Sequence, residues 1–143
     1  MAFLSWTRDY RIGNATIDAE HQELFRQINA FHDQWLDKRE RRIIAPLLNR
    51  LVTYTQQHFG HEEQIMFDAG YPRLAEHQQV HEAMIETIFR LQQSFEDQNN
   101  HFEMDTLKFI KSWLVVHILE NDFLFRDFMA HKKPVVAAAE SSE

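Results

Sequence analysis

The sequence predicts an all-α protein, an up-down-up-down antiparallel four-helix bundle with an irregular N-terminal arm and a short C-terminal tail. Three observations predict it. Apolar residues recur at steps of three and four in four separate stretches, which is the helix period. Among 143 residues there are only three Gly and three Pro, so little interrupts those stretches. The links between them are short, and short links make successive helices antiparallel neighbours.

Residues 1–17 read as the arm, with Gly13 and Asn14 as turn signals. Asp18 reads as the cap of the first helix, with Glu20 in its first turn. The stripe His21, Leu24, Ile28, Phe31 and Trp35 carries that helix to about Asp37. The charged run 37–42 reads as a loop or a solvated helix start. Leu47, Leu51, Tyr54, His58, Glu62 and Ile65 form the second stripe, with Pro46 in its first turn or kinking it. Gly70 should close that helix, and Tyr71-Pro72 open the next. His77, His81, Met84, Ile88, Leu91 and Phe95 mark the third, which ends in the polar run 96–101. Leu107, Ile110, Trp113, Leu114, His117, Ile118, Asp122, Phe125 and Met129 mark the fourth. Residues 1–131 form one domain, and 132–143, with Pro134 and no stripe, form the tail.

Composition bounds the function. Hydrophobic residues make up 44% of the chain, enough for a packed core. The formal charge is −7 with both signs interspersed, which argues against nucleic acid and against a membrane surface, since each calls for a basic face. There is no leader-like N-terminus and no transmembrane stretch, so the expectation is a cytoplasmic protein. No further apolar stripe calls for a partner, so a monomer is expected. The chain has no Cys, which removes disulfides and thiolate metal sites, but it has nine His.

Those histidines fall where a core residue is expected. The first stripe is interrupted by His21, the second by His58 and Glu62, the third by His77 and His81, and the fourth by His117 and Asp122. One buried histidine is ordinarily a satisfied core residue. Seven unpartnered ionisable groups would each cost several kcal/mol against a domain stability of roughly 5–15 kcal/mol. A bound metal offsets that cost directly. His58/Glu62 and His77/His81 are four apart, about 40° on a helix, so each pair converges on one point. His117 and Asp122 are five apart, roughly 140° on a regular helix. They reach different parts of a larger centre, or a π-bulge narrows the angle.

Seven ligands exceed a tetrahedral zinc site, and imidazole with carboxylate suits iron or manganese. If both carboxylates and one solvent oxygen bridge two six-coordinate metals, the seven residues leave one position for an external ligand. Competing carboxylates and imidazoles lie close by, at His61, Glu63, Glu76 and Glu82. His61 is expected on the flank, solvated or supporting a ligand, while His32, His101 and His131 read as surface or loop residues. Gly60 costs about 1 kcal/mol inside a helix, which suggests a close helix approach or access to the site.

The ordered pattern His, HxxxE, HxxxH, HxxxxD resembles the hemerythrin family in its bacterial single-domain form. The likeness runs from "WTRDYRIGNATIDAEHQELF" through "YTQQHFGHEEQIM" and "GYPRLAEHQQVH" to "WLVVHILENDF". It implies two iron ions with a bridging oxo or hydroxo group, Glu62 and Asp122 as carboxylate bridges, His77, His81 and His117 on the six-coordinate iron, and His21 and His58 on the five-coordinate one. It further implies reversible O2 binding for storage, delivery or scavenging, without enzymatic turnover, and an oxygen-consuming enzyme as recipient. Leu24, Phe59, Trp113, Leu114 and Ile118 would wall the O2 pocket. The alternatives are an O2 or redox sensor acting through a partner protein, and a di-iron oxidase or a reductase of peroxide or nitric oxide.

Overall fold

A computed structural model describes residues 3–37, 41–96 and 104–131. They form α1 (Ala15–Leu36), α2 (Arg41–Asp68), α3 (Leu74–Glu96) and α4 (Met104–His117). The last helix continues through a π-turn, Ile118–Asp122, into helical residues 123–131. There is no strand among the described residues, and the four helices make the expected up-down bundle. His101 and the tail lie outside the described residues.

The arm ends three residues earlier than expected, at Asn14 rather than residue 17. Asn14 is the true cap, its side chain accepting the Ile17 N–H at 3.0 Å, so α1 begins at Ala15. Asp18 sits inside the first turn, where its carboxylate accepts the N–H groups of Ile12 (2.8 Å) and Gly13 (3.1 Å). Both residues are good cap formers, and the earlier one takes the role while Asp18 ties the arm to the helix. Further along, Leu4 exchanges two backbone hydrogen bonds with the Asn29 side chain, at 2.8 and 2.7 Å. Lys111 donates to the Phe3 carbonyl at 2.8 Å, so the arm spans α1 and α4. The arm also buries His32, which stacks on Phe3 at 4.1 Å instead of lying on the surface. His131 is exposed, as expected.

In α2 the buried face is rotated slightly from the expected stripe. Ile44, Leu48, Leu51, Thr55, His58, Glu62 and Met66 face inward, while Leu47, Tyr54 and Ile65 flank them. Thr55 is tolerated because its hydroxyl donates to Leu51 O at 2.7 Å. Pro46 lies beyond the first turn, within the helix. The helix ends in a Schellman arrangement. Gly70 adopts φ 71°, Tyr71 N–H bonds Met66 O at 2.9 Å and Gly70 N–H bonds Phe67 O at 3.0 Å. Met66 and Tyr71 then pack together in one apolar cluster.

Two apolar clusters bracket a polar layer. The larger includes Leu24, Ile28, Leu51, Val52, Ile88, Leu114 and Ile118. A smaller one at the other end contains Ile12, Ile17, Met66, Tyr71 and Phe125. On α1, α2 and α3 the ionisable stripe residues fall between these two sets, as Asp122 does on the fourth helix, while His117 lies between Leu114 and Ile118 of the larger one.

The two helical glycines predict opposite effects. Gly70→Ala should destabilise by about 1 kcal/mol, because a Cβ is strained at positive φ. Gly60→Ala should stabilise by up to about 1 kcal/mol, since a Cβ there meets nothing within 4 Å. Urea unfolding of the two variants checks both signs.

Candidate metal centre

All seven predicted side chains meet. His21, His58, Glu62, His77, His81, His117 and Asp122 are each buried, and the two carboxylates are fully so. Their donor atoms fall into two groups that could each hold an ion.

The larger group gathers Glu62, His77, His81, His117 and Asp122. Glu62 Oε1 lies 2.9 Å from His77 Nε2 and 3.0 Å from His81 Nε2. Asp122 Oδ1 lies 3.1 Å from His77 Nε2 and 3.2 Å from His117 Nε2. His81 and His117 bring their Nε2 atoms within 3.1 Å. An ion with bonds of about 2.1 Å places neighbouring octahedral ligands roughly 3.0 Å apart and opposite ones roughly 4.2 Å apart. His117 Nε2 and Glu62 Oε1 are 4.0 Å apart. Five of these six distances match neighbouring octahedral ligands and the sixth an opposite pair.

The smaller group turns on the other oxygens of the same carboxylates. Glu62 Oε2 lies 3.4 Å from His21 Nε2 and 3.3 Å from His58 Nε2. Asp122 Oδ2 lies 3.1 Å from His21 Nε2. Glu62 therefore belongs to both groups, one having five donors and the other three, and the second oxygen of Asp122 reaches His21 of the smaller one. Glu62 Oε2 and both Asp122 oxygens are buried without a hydrogen-bond partner. Buried anionic oxygens left that way are costly unless a cation takes them up, so the residues present fit a pair of metal ions.

The backbone makes this possible at the fourth helix. His117 and Asp122 flank the π-turn, in which the Phe123 N–H bonds Ile118 O five residues back. Positions five apart then stack as positions four apart do in a regular helix. The expected narrowing of the angle is thus present.

The outer nitrogens of His58, His81 and His117 are also held. His58 Nδ1 donates to Glu20 Oε1 at 2.7 Å, and exposed His61 donates to the other Glu20 oxygen at 2.7 Å. His81 Nδ1 donates to Glu63 Oε2 at 2.7 Å, and His117 Nδ1 to Asn121 Oδ1 at 3.1 Å. A proton fixed on Nδ1 leaves the Nε2 lone pair for a metal and orients the ring. His61 thus supports the site through Glu20, as its flank position suggested. The sequence reading placed Glu20 in a helix first turn and treated Glu63 as a rival ligand, and it missed Asn121. Positions one before His21, one after Glu62 and four after His117 were the available signal, since only flanking positions can reach a ligand's outer edge.

The apolar wall is partly as expected. Leu24, Leu114 and Ile118 are buried in one cluster with Trp113 packed against it. Phe59 stands apart, stacked flat on His81 at 3.7 Å and within 6 Å of His58 (5.9 Å) and His117 (5.7 Å). A groove between α2 and α3, about 450 Å³ and lined by Phe59, Gly60 and His81 among others, reaches this wall from outside. Gly60 therefore opens onto the groove instead of permitting a close helix approach.

The electrostatics follow from the two carboxylates. Burial disfavours charge on His21, but the adjacent carboxylates of Asp122 and Glu62 push its pKa up to about 10. The same opposition raises His77 to about 9. Burial also works against the Glu62 carboxylate, yet the surrounding histidines hold it well below the ordinary range. Glu20 is likewise lowered, burial being outweighed by its hydrogen bonds with His58 and His61.

Fold and site together define a four-helix-bundle protein with a buried histidine and carboxylate centre suited to two metal ions. The chain belongs to the hemerythrin family: the model of the Hemerythrin HHE cation binding domain matches residues 12–128. It is 36% identical over 132 residues to a bacteriohemerythrin of Pseudomonas aeruginosa, covering 92% of this chain and 84% of the relative. A myohemerythrin of Riftia pachyptila is 31% identical over 121 residues, 85% and 89% of the two chains. A solved wild-type hemerythrin superposes with a TM-score of 0.81 at 29% identity, covering 88% of this chain and 97% of that one. No helix among the described residues is long and apolar enough to cross a membrane.

Raised histidine pKa values set a pH signature for the metal-free protein. The ion pairs of His21 and His77 stabilise it fully below pH 6.5 and are lost as pH rises through about 9 to 10. Thermal unfolding should therefore show the metal-free form weakening from pH 7 to about 10, with the metal-loaded form less affected. Metal uptake at neutral pH should release protons, measurable with an indicator dye in weak buffer.

Proposed function

We propose that this protein binds O2 reversibly at a di-iron centre held by His21, His58, Glu62, His77, His81, His117 and Asp122. One observation carries the reading: Glu62 divides its oxygens between a five-donor and a three-donor group, and Asp122 brings its second oxygen within 3.1 Å of His21 in the smaller one. Two irons bound there, with an oxo or hydroxo bridge, would supply the two electrons that O2 takes up on binding and returns on release.

The residues divide the work. Glu62 and Asp122 would hold the two ions. His77, His81 and His117 would saturate one side, leaving the His21 and His58 side short of donors and open to an external ligand. Glu20 and Glu63 keep the protons of His58 and His81 on Nδ1. Leu24, Trp113, Leu114 and Ile118, with Phe59 across the histidines, form an apolar wall. Such a wall excludes water and offers no acidic side chain, so O2 would leave as O2 and not escape as hydrogen peroxide or oxidise a substrate. The histidine-rich donor set points the same way, because oxygen-activating bundles of the ferritin type are carboxylate-rich.

On this reading the protein stores, delivers or scavenges oxygen in the cytoplasm, without catalysis of its own, and an oxygen-consuming enzyme receives it. Residues 1–131 are the functional unit, and 132–143 lie outside it.

Anaerobically reduced protein exposed to air should gain a visible charge-transfer band that disappears on purging, with two irons per chain by metal analysis. A band that decays at once to a stable oxidised form counts against the reading. His58→Ala should retain about one iron per chain and show no reversible band, because the smaller donor group loses a ligand.

A further inference from the structure

We propose that the solvent face of α4 pairs with the same face of a second copy of this chain about a two-fold axis. The expectation of a monomer rested on there being no spare apolar stripe, and the structure displays one. Of eight large apolar side chains exposed among the described residues, four are on α4 or its continuation: Phe109, Val116, Leu119 and Leu124. Phe109 is 49% exposed, Val116 47% and Leu119 43%. Lys108, Ser112 and Glu120 are exposed between and beside them. Steps of three and four place these six residues, 108 to 120, on one side of the helix. Ile110, Leu114, His117, Ile118 and Asp122 occupy the opposite, buried side.

The stripe complements itself when reversed. An antiparallel copy crossing at residue 114 sets Phe109 against Leu119 of the second copy, Ser112 against its Val116 and Lys108 against its Glu120. Apolar faces apolar, a small residue receives a branched one so the axes can approach, and a cation meets an anion. The two-fold repeats each pairing, as an isologous contact requires. A parallel copy would instead stack Lys108 on Lys108. Among the described residues neither Lys108 nor Glu120 has an ion pair. Charge also selects the place: the chain carries −7 overall, which opposes self-association elsewhere, whereas this stripe is balanced. Antiparallel helix dipoles favour the same arrangement. With three apolar residues per copy the contact belongs at the small end of interface sizes, so the dimer should be weak and concentration-dependent.

Sedimentation equilibrium of the full chain from about 10 μM to about 1 mM tests this. The mass should move from one chain toward two, and Val116→Asp should hold it at one chain with an unchanged helical circular-dichroism signal. Lys108→Glu and Glu120→Lys should each weaken association about tenfold, by placing like charges together twice. The double variant K108E/E120K should regain the original affinity. Monomer mass at the highest concentration overturns the pairing and leaves the stripe to a different partner. Association that survives Val116→Asp, or a double variant no better than either single one, overturns it as well.

Discussion

The burial of two carboxylates, Glu62 and Asp122, inside one layer of a helical bundle is the constraint on which the rest depends. Neither has any exposure, and three of their four oxygens have no hydrogen-bond partner. Two anions in that setting demand compensation of several kcal/mol each. Five imidazoles are arranged around them, where they could be shared with a metal ion. The same arrangement explains the raised pKa values of His21 and His77 and the depressed one of Glu62. Metal and proton compete for the same nitrogens, so the centre couples metal loading to pH by its construction.

The remainder of the fold holds that layer in place. Apolar clusters above and below it fix the helices on both sides, and the arm ties α1 to α4. Glu20, Glu63 and Asn121 hold ligand rings from outside, at the cost of spending helix-surface positions on the site. Their arrangement is uneven. His21 Nδ1 is buried and has no such support. Among the described residues of the four bundle helices the π-turn is the one departure from regular helix, and it lies between His117 and Asp122. A local rule is broken there because two side chains five apart must reach one point.

Much of this was legible in the sequence. The ligands were visible because His and Glu sat at apolar positions of a 3.6-residue repeat, and the i, i+5 spacing of His117 and Asp122 pointed to the π-turn. Gly70 marked a helix end through its positive φ. Less legible were features fixed by tertiary contact. Asn14 and Asp18 are both cap formers, and only the path of the arm decides between them. His32 looked like a surface residue until Phe3 covered it. The supporting carboxylates were hidden because acidic residues on a helix flank are ordinarily solvated, and which of them bends toward a ligand depends on the neighbouring helix. The exposed stripe of α4 escaped notice because its inward neighbours, Trp113 and Leu114 among them, dominate the same stretch of sequence.

The central claim is that Glu62 and Asp122 are each shared by two metal ions. Anomalous diffraction at the iron edge from crystals of the iron-loaded protein measures this directly. The account predicts two peaks roughly 3.5–4 Å apart, each within bonding distance of one oxygen from each carboxylate. A single peak, or two peaks with the carboxylates bound to one ion only, would contradict it.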